Sequence, residues 1–446
     1  MMKKNQPPTV KAGFFGGHFI KFRRNPTDFL TNLAKLGDVT FLKLGGKPAY
    51  FLNHPDLIRD LLVTNNSKFI KGRALQRSKK LLGEGLLTSE GAAHLRQRRM
   101  ISPAFHREKI RTYAEAMTEY AANMADEWNE GEVRDIDKEM MRLTLQIVGK
   151  TLFGANVDDE ANEVGAALTA IIEMFNYLLL PFSELLEKLP FPQSKRFNHS
   201  KETLDKVIYG IINERRKSGE DKGDLLSMLL MAQDENDGAA MSDEQVRDEC
   251  LTIFLAGHET TANALTWTFY LLSQNADKSE KLNEELDRVL PNGKIPTIED
   301  LPNLKYTESV LAESMRLFPP AWAIGRLAIE AHEFGGYEVP KGALVILSPY
   351  ITQRDARFWE NADKFAPERW EKLSIKEAGN KFIYYPFSKG VRSCIGEGFA
   401  WTEGILLVAT LLRKWNLKLM PEQQIRLNPL MTLRPKYGMK MKIERR

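Results

Sequence analysis

The stretch FSKGVRSCIG, residues 387–396, places one of the chain's two cysteines between glycines, with an arginine two positions before it. Gly390 and Gly396 remove side chains on both sides of Cys394, so a flat or bulky group could approach the backbone. The Arg392 guanidinium offers a fork of donors that matches a carboxylate. A helix predicted to begin just after the cysteine would favour its thiolate form. The loop therefore suits a haem with propionate groups, although a buried structural thiol is the commoner role of an arbitrary cysteine.

A second stretch, AGHETT at residues 256–261, lies inside a long apolar segment. An acid followed by threonines on a helix is usually a polar patch or a local kink. Here the flanking residues 251–267 are apolar on most sides, so a buried Glu259 needs a partner or a purpose. Gly257 thins the same helix and would let a ligand lie against its backbone.

The composition is that of an ordinary globular protein, with 446 residues, 43% hydrophobic and 27% charged. The formal net charge of +4 does not by itself suggest a nucleic-acid partner. Cys250 and Cys394 lie far apart and neither belongs to a CxxC pair, which argues against a disulfide framework and a zinc ribbon. No apolar run approaches the ~20 residues of a membrane-spanning helix, and no signal peptide is visible. We expect a soluble, cytoplasmic protein without a transmembrane anchor.

Helical patterning dominates the chain, and these elements would position the two stretches. Residues 39–55 are the clearest exception, because two β-rich runs flank a Gly-Gly-Lys-Pro turn. Ser242 followed by Gln245 predicts the capped start of a helix of roughly thirty residues, ~45 Å long, that is buried through the protein's centre. A second helix is predicted to end at residues 319–320, short β-like runs follow, and a buried helix opens right after Cys394.

The cysteine loop resembles the FxxGxRxCxG…A pattern of the cytochrome P450 monooxygenases. The matching residues are Phe387, Gly390, Arg392, Cys394, Gly396 and Ala400. The resemblance implies haem b (iron protoporphyrin IX) with Cys394 as the axial thiolate ligand. Phe387 would pack beside the sulfur, Arg392 would bind a propionate, and Gly396 would leave room for the cofactor.

The stretch AGHETT is similar to the oxygen-activating segment of the same family, in which the order is Ala-Gly-x-Glu-Thr. The resemblance implies that Ala256 and Gly257 lie against the cofactor and that Thr260 hydrogen-bonds dioxygen. Glu259 would help to relay protons from solvent, which needs acid–base groups within hydrogen-bond reach. His258 occupies the variable position and is given no role.

Further charged residues match the family's structural and propionate-binding positions. Glu313 and Arg316 share a helix face, which alone would indicate an exposed pair worth a few tenths of a kcal/mol. With Arg369 of KFAPERW, the resemblance implies a buried structural triad. His94 and Arg98 also share a face, which is either a solvated basic surface or, by resemblance, a propionate site. Many relatives have tryptophan at the position of His94. A further propionate ligand would be Arg326.

By the same resemblance, certain segments would line a substrate pocket. These segments are apolar here, which suits a hydrophobic ligand but is equally typical of core. The candidate residues are Phe175, Leu178, Trp322, Ile324, Met431 and Leu433. LTW, LFPPAW and LSPYITQR are similar to stretches of bacterial carotenoid-ring hydroxylases. The resemblance implies a terpenoid or carotenoid substrate, with a fatty acid as the nearest rival.

The family resemblance implies one mainly α domain over residues 1–446, a helical bundle with a small β region and haem between the long helix and the helix after the cysteine. It implies hydroxylation with O₂ and electrons from a separate ferredoxin or flavodoxin and its NAD(P)H reductase. One alternative is a peroxide-driven peroxygenase or haem isomerase on the same fold. Such variants usually lack the acid–alcohol pair, and the presence of Glu259 and Thr260 argues against this alternative. A non-catalytic haem protein is a third alternative, and a cysteine hydrolase or a plain scaffold would apply if no haem binds.

Overall fold

The β-strands near the start of the chain pair with strands from beyond residue 320. The structure is a computed structural model that describes residues 6–13, 17–155, 164–168, 170–171, 192–233 and 240–446. Contacts divide the chain into two compact units. The β-rich unit comprises Met1–Arg77, Met315–Lys364 and Arg369–Cys394. The helical unit comprises Ser78–Ser314, Phe365–Glu368 and Ile395–Arg446.

Helices account for most of the described secondary structure. Their bounds are Phe19–Arg24, Pro26–Ala34, Pro55–Arg59, Arg73–Arg77, Lys79–Leu82, Gly91–Ile101, Arg107–Glu127, Ile136–Phe153, Pro192–Ser218, Leu225–Met231, Asp243–Gln274, Ala276–Val289, Lys305–Leu317, Pro349–Thr352, Arg369–Lys372, Ile375–Asn380 and Glu397–Leu412. A π-helical turn covers Asp60–Thr64, and 3₁₀ turns cover Asn66–Lys68, Ser102–Phe105, Pro291–Gly293, Ile298–Asn303 and Gly390–Arg392. The prediction of a mainly α fold with a small β region is confirmed.

The β-rich unit is built on one five-stranded sheet. Its strands, in spatial order, are Val39–Leu44, Lys47–Leu52, Leu344–Leu347, Ile324–Ala328 and Phe69–Lys71. The first two form the predicted hairpin, although the turn is only Gly45–Gly46 and the second strand already begins at Lys47. Both turn glycines have positive φ, as a two-residue type I′ turn requires. A two-stranded ribbon, His332–Phe334 with Tyr337–Val339, completes the unit's strands among the described residues.

The helical unit is organised around the central helix, Asp243–Gln274. The Ser242 side chain accepts a hydrogen bond from the Gln245 amide, so the predicted capped start is confirmed. The helix packs along Ile136–Phe153, where the Phe153 and Phe254 rings stack 4.4 Å apart. Because its middle is apolar on most sides, the helix is buried along most of its length, as the sequence predicts.

The helix after the cysteine, Glu397–Leu412, is here called the Cys-loop helix. It is buried from Thr402 onwards and packs against Arg107–Glu127 and the central helix. A three-stranded sheet in the order Val133–Asp135, Lys440–Arg445 and Trp415–Leu419 lies in the same unit. So does the C-terminal hairpin, residues 427–435, whose strands are Leu427–Pro429 and Leu433–Pro435. Among the described helices, none is both long and apolar enough to cross a membrane.

Candidate functional site

The loop that ends at Cys394 is closed by backbone hydrogen bonds. The Cys394 amide donates to the Phe387 carbonyl at 2.9 Å, and the Ser393 amide donates to the Gly390 carbonyl at 3.0 Å. The loop leaves the Cys394 residue exposed, whereas Cys250 is fully buried on the central helix. Burial raises the pKa of the Cys250 thiol well above its usual range, so that this thiol stays protonated. Of the two cysteines, Cys394 is therefore the one accessible to a ligand.

Gly390 is required by the shape of this loop. Its φ is +76°, a conformation that side chains disfavour. A Cβ at this position would stand 2.2 Å from the Leu62 carbonyl oxygen, inside the π-helical turn Asp60–Thr64. Since a backbone atom cannot easily move aside, the glycine sets how closely the cysteine loop packs against this turn.

We expect Gly390→Ala to lower the free energy of unfolding by about 2–3 kcal/mol, because left-handed strain adds to a backbone clash. Gly342→Ala is the matched control. Gly342 has a φ of +83°, but a Cβ there would meet nothing within 4 Å, so only the strain of about 1 kcal/mol applies. Urea unfolding of the two variants measures the difference, and equal losses would contradict the packing role of Gly390.

One face of the central helix is open while the residues around it are buried. Ala256 is exposed, and Gly257 and Thr260 are half-buried, whereas residues 250–255 and 261–269 are buried. The Thr260 hydroxyl donates to the Ala256 carbonyl at 2.8 Å. Residues four apart on a helix share a face. Ala256 and Thr260 therefore mark a place where a bound group can lie against the helix.

Gly257 also has a packing role. A Cβ there would stand 3.0 Å from a methyl carbon of Val148, on the helix Ile136–Phe153. The glycine therefore allows these two helices to approach closely, in addition to the ligand contact expected from the sequence.

Glu259 is buried and bonded to the C-terminal hairpin. The Thr432 hydroxyl donates to Glu259 Oε1 at 2.6 Å, and Asn263 Nδ2 contacts Thr432 Oγ1 at 3.1 Å. The nearest cationic nitrogen to Glu259 Oε2 is Arg434 Nη1, at 3.9 Å. The partner that the sequence required for this acid is therefore a hydroxyl and a guanidinium on the hairpin.

The same guanidinium also serves a second buried acid. Arg434 Nη2 donates to Asp137 Oδ2 at 3.2 Å. Burial raises the pKa of Asp137 to about 6, and the charge of Arg434 opposes the rise. Sequence reasoning missed Thr432, Arg434 and Asp137. The only local signal was that Thr432 and Arg434 stand two apart, which places them on one side of an extended segment.

The three residues of the predicted triad each have well-defined partners. Glu313 is fully buried and accepts a hydrogen bond from the Ala366 amide at 3.0 Å. Arg316 is also fully buried and donates to the carbonyl oxygens of Gln353, Ala362 and Lys364. Arg369 is half-buried and donates to the Glu360 carbonyl at 3.1 Å. The alternative of an exposed pair is excluded for Glu313 and Arg316.

Trp359 is a further part of this cluster that sequence reasoning missed. The Arg316 and Arg369 guanidinium carbons lie 5.2 Å and 5.7 Å from the centre of its ring. Such cation–π contacts are stronger when desolvated.

The predicted propionate-binding residues lie on three different elements. His94 is buried and Arg98 half-buried on the helix Gly91–Ile101. Arg326 is buried on the strand Ile324–Ala328 and donates to the Gly325 carbonyl at 3.1 Å. Arg392 is half-buried in the cysteine loop.

The predicted pocket residues differ in exposure. Ile324 and Met431 are half-buried, whereas Trp322 is buried and Leu433 fully so. The Leu433 carbonyl accepts a hydrogen bond from Trp267 Nε1 at 2.7 Å, which fixes the hairpin to the central helix. Phe175 and Leu178 lie outside the described residues.

Glu403, on the Cys-loop helix, is a buried acid that sequence reasoning did not identify. It is fully buried, and burial raises its pKa to about 8. The Thr261 hydroxyl opposes this rise only in part. In the part of the chain that the structure describes, no well-aligned hydrogen bond reaches either carboxyl oxygen. Glu403 is therefore protonated in the folded protein at neutral pH.

This acid predicts a pH-dependent stability. Between about pH 4.5 and pH 8 the unfolded chain has lost the Glu403 proton while the folded chain retains it, so stability falls as pH rises. Relative to Glu403→Gln, we expect the wild-type protein to lose on the order of 4 kcal/mol between pH 4 and pH 8. Urea unfolding of both proteins across this range measures the difference, and parallel profiles would contradict it.

The chain is similar to known proteins over nearly its whole length. Residues 7–443 match the model of the family described as Cytochrome P450. Cyclooctatin synthase of Streptomyces melanosporofaciens is 37% identical over 94% of this chain and 91% of its own length. Pentalenene oxygenase of Streptomyces avermitilis is 34% identical over 92% and 91%. Carotene epsilon-monooxygenase of Arabidopsis thaliana is 30% identical over 93% and 81%. The chain therefore belongs to the cytochrome P450 family of monooxygenases, which carry haem b on a cysteine thiolate.

Proposed function

We propose that Cys394 is the axial haem ligand of this monooxygenase and that its substrate is a hydrophobic terpenoid or carotenoid. The observation that carries the assignment is the exposure of Cys394 on its hydrogen-bonded loop, in contrast to the buried, protonated Cys250. A thiolate is the soft ligand that suits haem iron in this family. We further propose that residues 1–446 act as a single haem-binding domain.

The residues present fit the cofactor. Each unit, taken by itself, has residues of the right chemistry. The β-rich unit offers the accessible Cys394 thiol for an iron and cationic side chains for propionates, and the helical unit offers an open strip on an otherwise buried helix (Ala256, Gly257 and Thr260) for a flat macrocycle. The N-cap of the helix Glu397–Leu412 is Gly396, which makes no side-chain cap, so the first amides of the helix favour an anion nearby. The residues proposed to bind haem are Cys394, Phe387, Arg392, Gly396, His94, Arg98, Arg326, Ala256 and Gly257.

When bound, the haem supplies the centre at which O₂, two electrons and two protons give water and one inserted oxygen atom. The chain contributes binding, orientation and proton supply. The Thr260 hydroxyl lies at the open strip, where it can donate a hydrogen bond to a small ligand. Glu259 is the acid next to it, and we assign it the replacement of protons from solvent. Glu313, Arg316 and Arg369 would hold the surrounding backbone in place.

The relatives and the residues expected to line the pocket support the proposed substrate class. Pentalenene and carotene, after which two relatives are named, are isoprenoid hydrocarbons. Ile324 and Met431 offer accessible apolar surface at the positions expected to line the pocket. A fatty acid is the competing substrate class. We propose that the electrons come from a separate ferredoxin or flavodoxin with its NAD(P)H reductase.

The test is a spectral binding screen of the purified haem protein with terpenoids, carotenoids, fatty acids and steroids. We expect isoprenoid compounds to displace the water bound to the iron and to change the absorption spectrum. Turnover of each hit with NADPH, ferredoxin and reductase should then give a hydroxylated product. If only fatty acids bind tightly and are turned over, the substrate assignment is rejected. If product forms with hydrogen peroxide but not with O₂, NADPH, ferredoxin and reductase, the dependence on O₂ is rejected.

A further inference from the structure

The acid of the central helix is held by the C-terminal hairpin, residues 427–435. Glu259 Oε1 accepts a hydrogen bond from the Thr432 hydroxyl at 2.6 Å. Asn263 Nδ2 is 3.1 Å from Thr432 Oγ1 and 2.8 Å from the Glu259 carbonyl oxygen. The side chains of Glu259, Thr432 and Asn263 are all buried. A hydrogen bond to a buried carboxylate is among the stronger ones in proteins.

The second carboxyl oxygen depends on Arg434. Among the described residues, Glu259 Oε2 has no hydrogen-bond partner, and it lies 3.9 Å from Arg434 Nη1. The same guanidinium binds Asp137 Oδ2 at 3.2 Å, so that it faces carboxyl groups from two helices. Since a buried carboxyl group needs a partner, the position of Arg434 restricts where Glu259 can stand.

The hairpin connects this acid to the expected substrate pocket. Met431, a half-buried residue expected to touch the substrate, directly precedes Thr432 in the turn. The turn is closed by the Leu430 amide, which contacts the Asn428 and Thr432 carbonyl oxygens at 2.9 Å and 3.0 Å. A displacement of Met431 by a ligand would therefore move the hydroxyl that holds Glu259.

We propose that Thr432 and Arg434 are positioning residues that hold Glu259 on the C-terminal hairpin, so that the segment expected to contact the substrate also sets the position of the proton-relay acid. This inference rests on the proposed role of Glu259 in supplying protons. The Thr260 hydroxyl donates to Ala256 in this structure, while the Glu259 carboxyl is engaged by the hairpin. To supply protons, the Glu259 carboxyl group must therefore leave its hydrogen bond with Thr432 for part of the time. The Glu259 side chain then has two populated positions, one bonded to the hairpin and one released from it.

The first experiment measures the strength of the Glu259–Thr432 hydrogen bond and requires no catalytic turnover. The unfolding equilibrium constants of the wild-type holoenzyme, Thr432→Val, Glu259→Gln and the double variant form a double-mutant cycle. We expect a coupling factor of about tenfold, because the hydrogen bond to a charged group is lost in Thr432→Val and becomes a weaker one to a neutral amide oxygen in Glu259→Gln. Thr268→Val with Glu259→Gln is the matched control, since the buried Thr268 hydroxyl donates to the Ala264 carbonyl instead. This cycle should be additive.

The second experiment measures proton supply. In Thr432→Val, we expect the ratio of peroxide released to product formed, measured at saturating substrate, to rise by about tenfold. Thr432→Ser keeps the hydroxyl and should restore the wild-type ratio. The solvent isotope effect on turnover should change in Thr432→Val and return in Thr432→Ser. If the substitution only lowered stability, neither the peroxide-to-product ratio nor the solvent isotope effect would change.

The outcomes separate this inference from the proposed function. If the wild-type protein hydroxylates its substrate while Thr432→Val gives an additive cycle and the wild-type peroxide ratio, the positioning role is rejected and the monooxygenase assignment stands. If the wild-type protein binds haem but hydroxylates none of the tested compounds with O₂ and electrons, the proposed function is rejected. The positioning role then falls with it, even where the cycle detects the contact.

Discussion

Replacing Cys394 by serine should remove the red-shifted absorption band of the reduced carbon monoxide complex and lower hydroxylation by more than about 10³-fold, equivalent to about 4 kcal/mol of barrier. The thiolate is the ligand that donates electron density to the iron, and a serine hydroxyl is a harder and far less acidic group. The exposed position of Cys394 makes the substitution structurally mild. The measurements are the spectrum and the rate of product formation.

The matched control is Cys250→Ala. Cys250 is buried on the central helix and burial keeps its thiol protonated, so that removing it should leave the band in place. A serine variant at position 394 that retained the band, or an alanine variant at position 250 that lost it with the fold intact, would reassign the ligand.

Arg316→Met should lower the free energy of unfolding by about 3–5 kcal/mol and leave the purified protein with little haem. The guanidinium donates to three backbone carbonyls, those of Gln353 and Ala362 at 2.7 Å and that of Lys364 at 3.1 Å. Methionine fills a similar volume but leaves these buried acceptors without their donor. Because one planar guanidinium donates to all three carbonyl oxygens, a geometry that a lysine ammonium does not reproduce, Arg316→Lys should recover only part of the lost free energy of unfolding.

Arg369→Met provides the comparison for this prediction. Arg369 stacks on the same Trp359 ring but is only half-buried, and its contacts to the Glu360 and Lys364 carbonyls are 3.1 Å and 3.5 Å long. We expect its replacement to cost about 1 kcal/mol. Urea unfolding and the haem content per protein measure both effects. Equal losses for the two arginines would show that burial does not decide the role of Arg316.

The cysteine loop was predictable because its geometry depends on local residues. Gly390 has a φ of +76°, which few other residues adopt, and the spacing from Phe387 to Cys394 allows the loop to close on its own backbone. The central helix was predictable for a similar reason. A capping residue at Ser242 and 32 residues of helical pattern with an apolar middle specify its start and its burial.

Other features depend on residues that are far apart in the sequence. The Glu259–Thr432 pair is separated by 173 positions, and no periodicity predicts such a contact. The packing of Gly257 against Val148 and the stacking of Arg316 on Trp359 are similar cases. These contacts arise when separate elements pack, and the pattern within one element contains little information about the side chains of another.

The sequence by itself determined the family, the mainly helical class and the loop that presents Cys394, because each rests on a local pattern of residue types. Only the tertiary structure decided which groups hold Glu259, why Gly390 admits no side chain, and that Glu403 is buried and protonated. The physical reason is that burial and long-range hydrogen bonds depend on which surfaces meet. That is a property of the packed chain and not of any one segment.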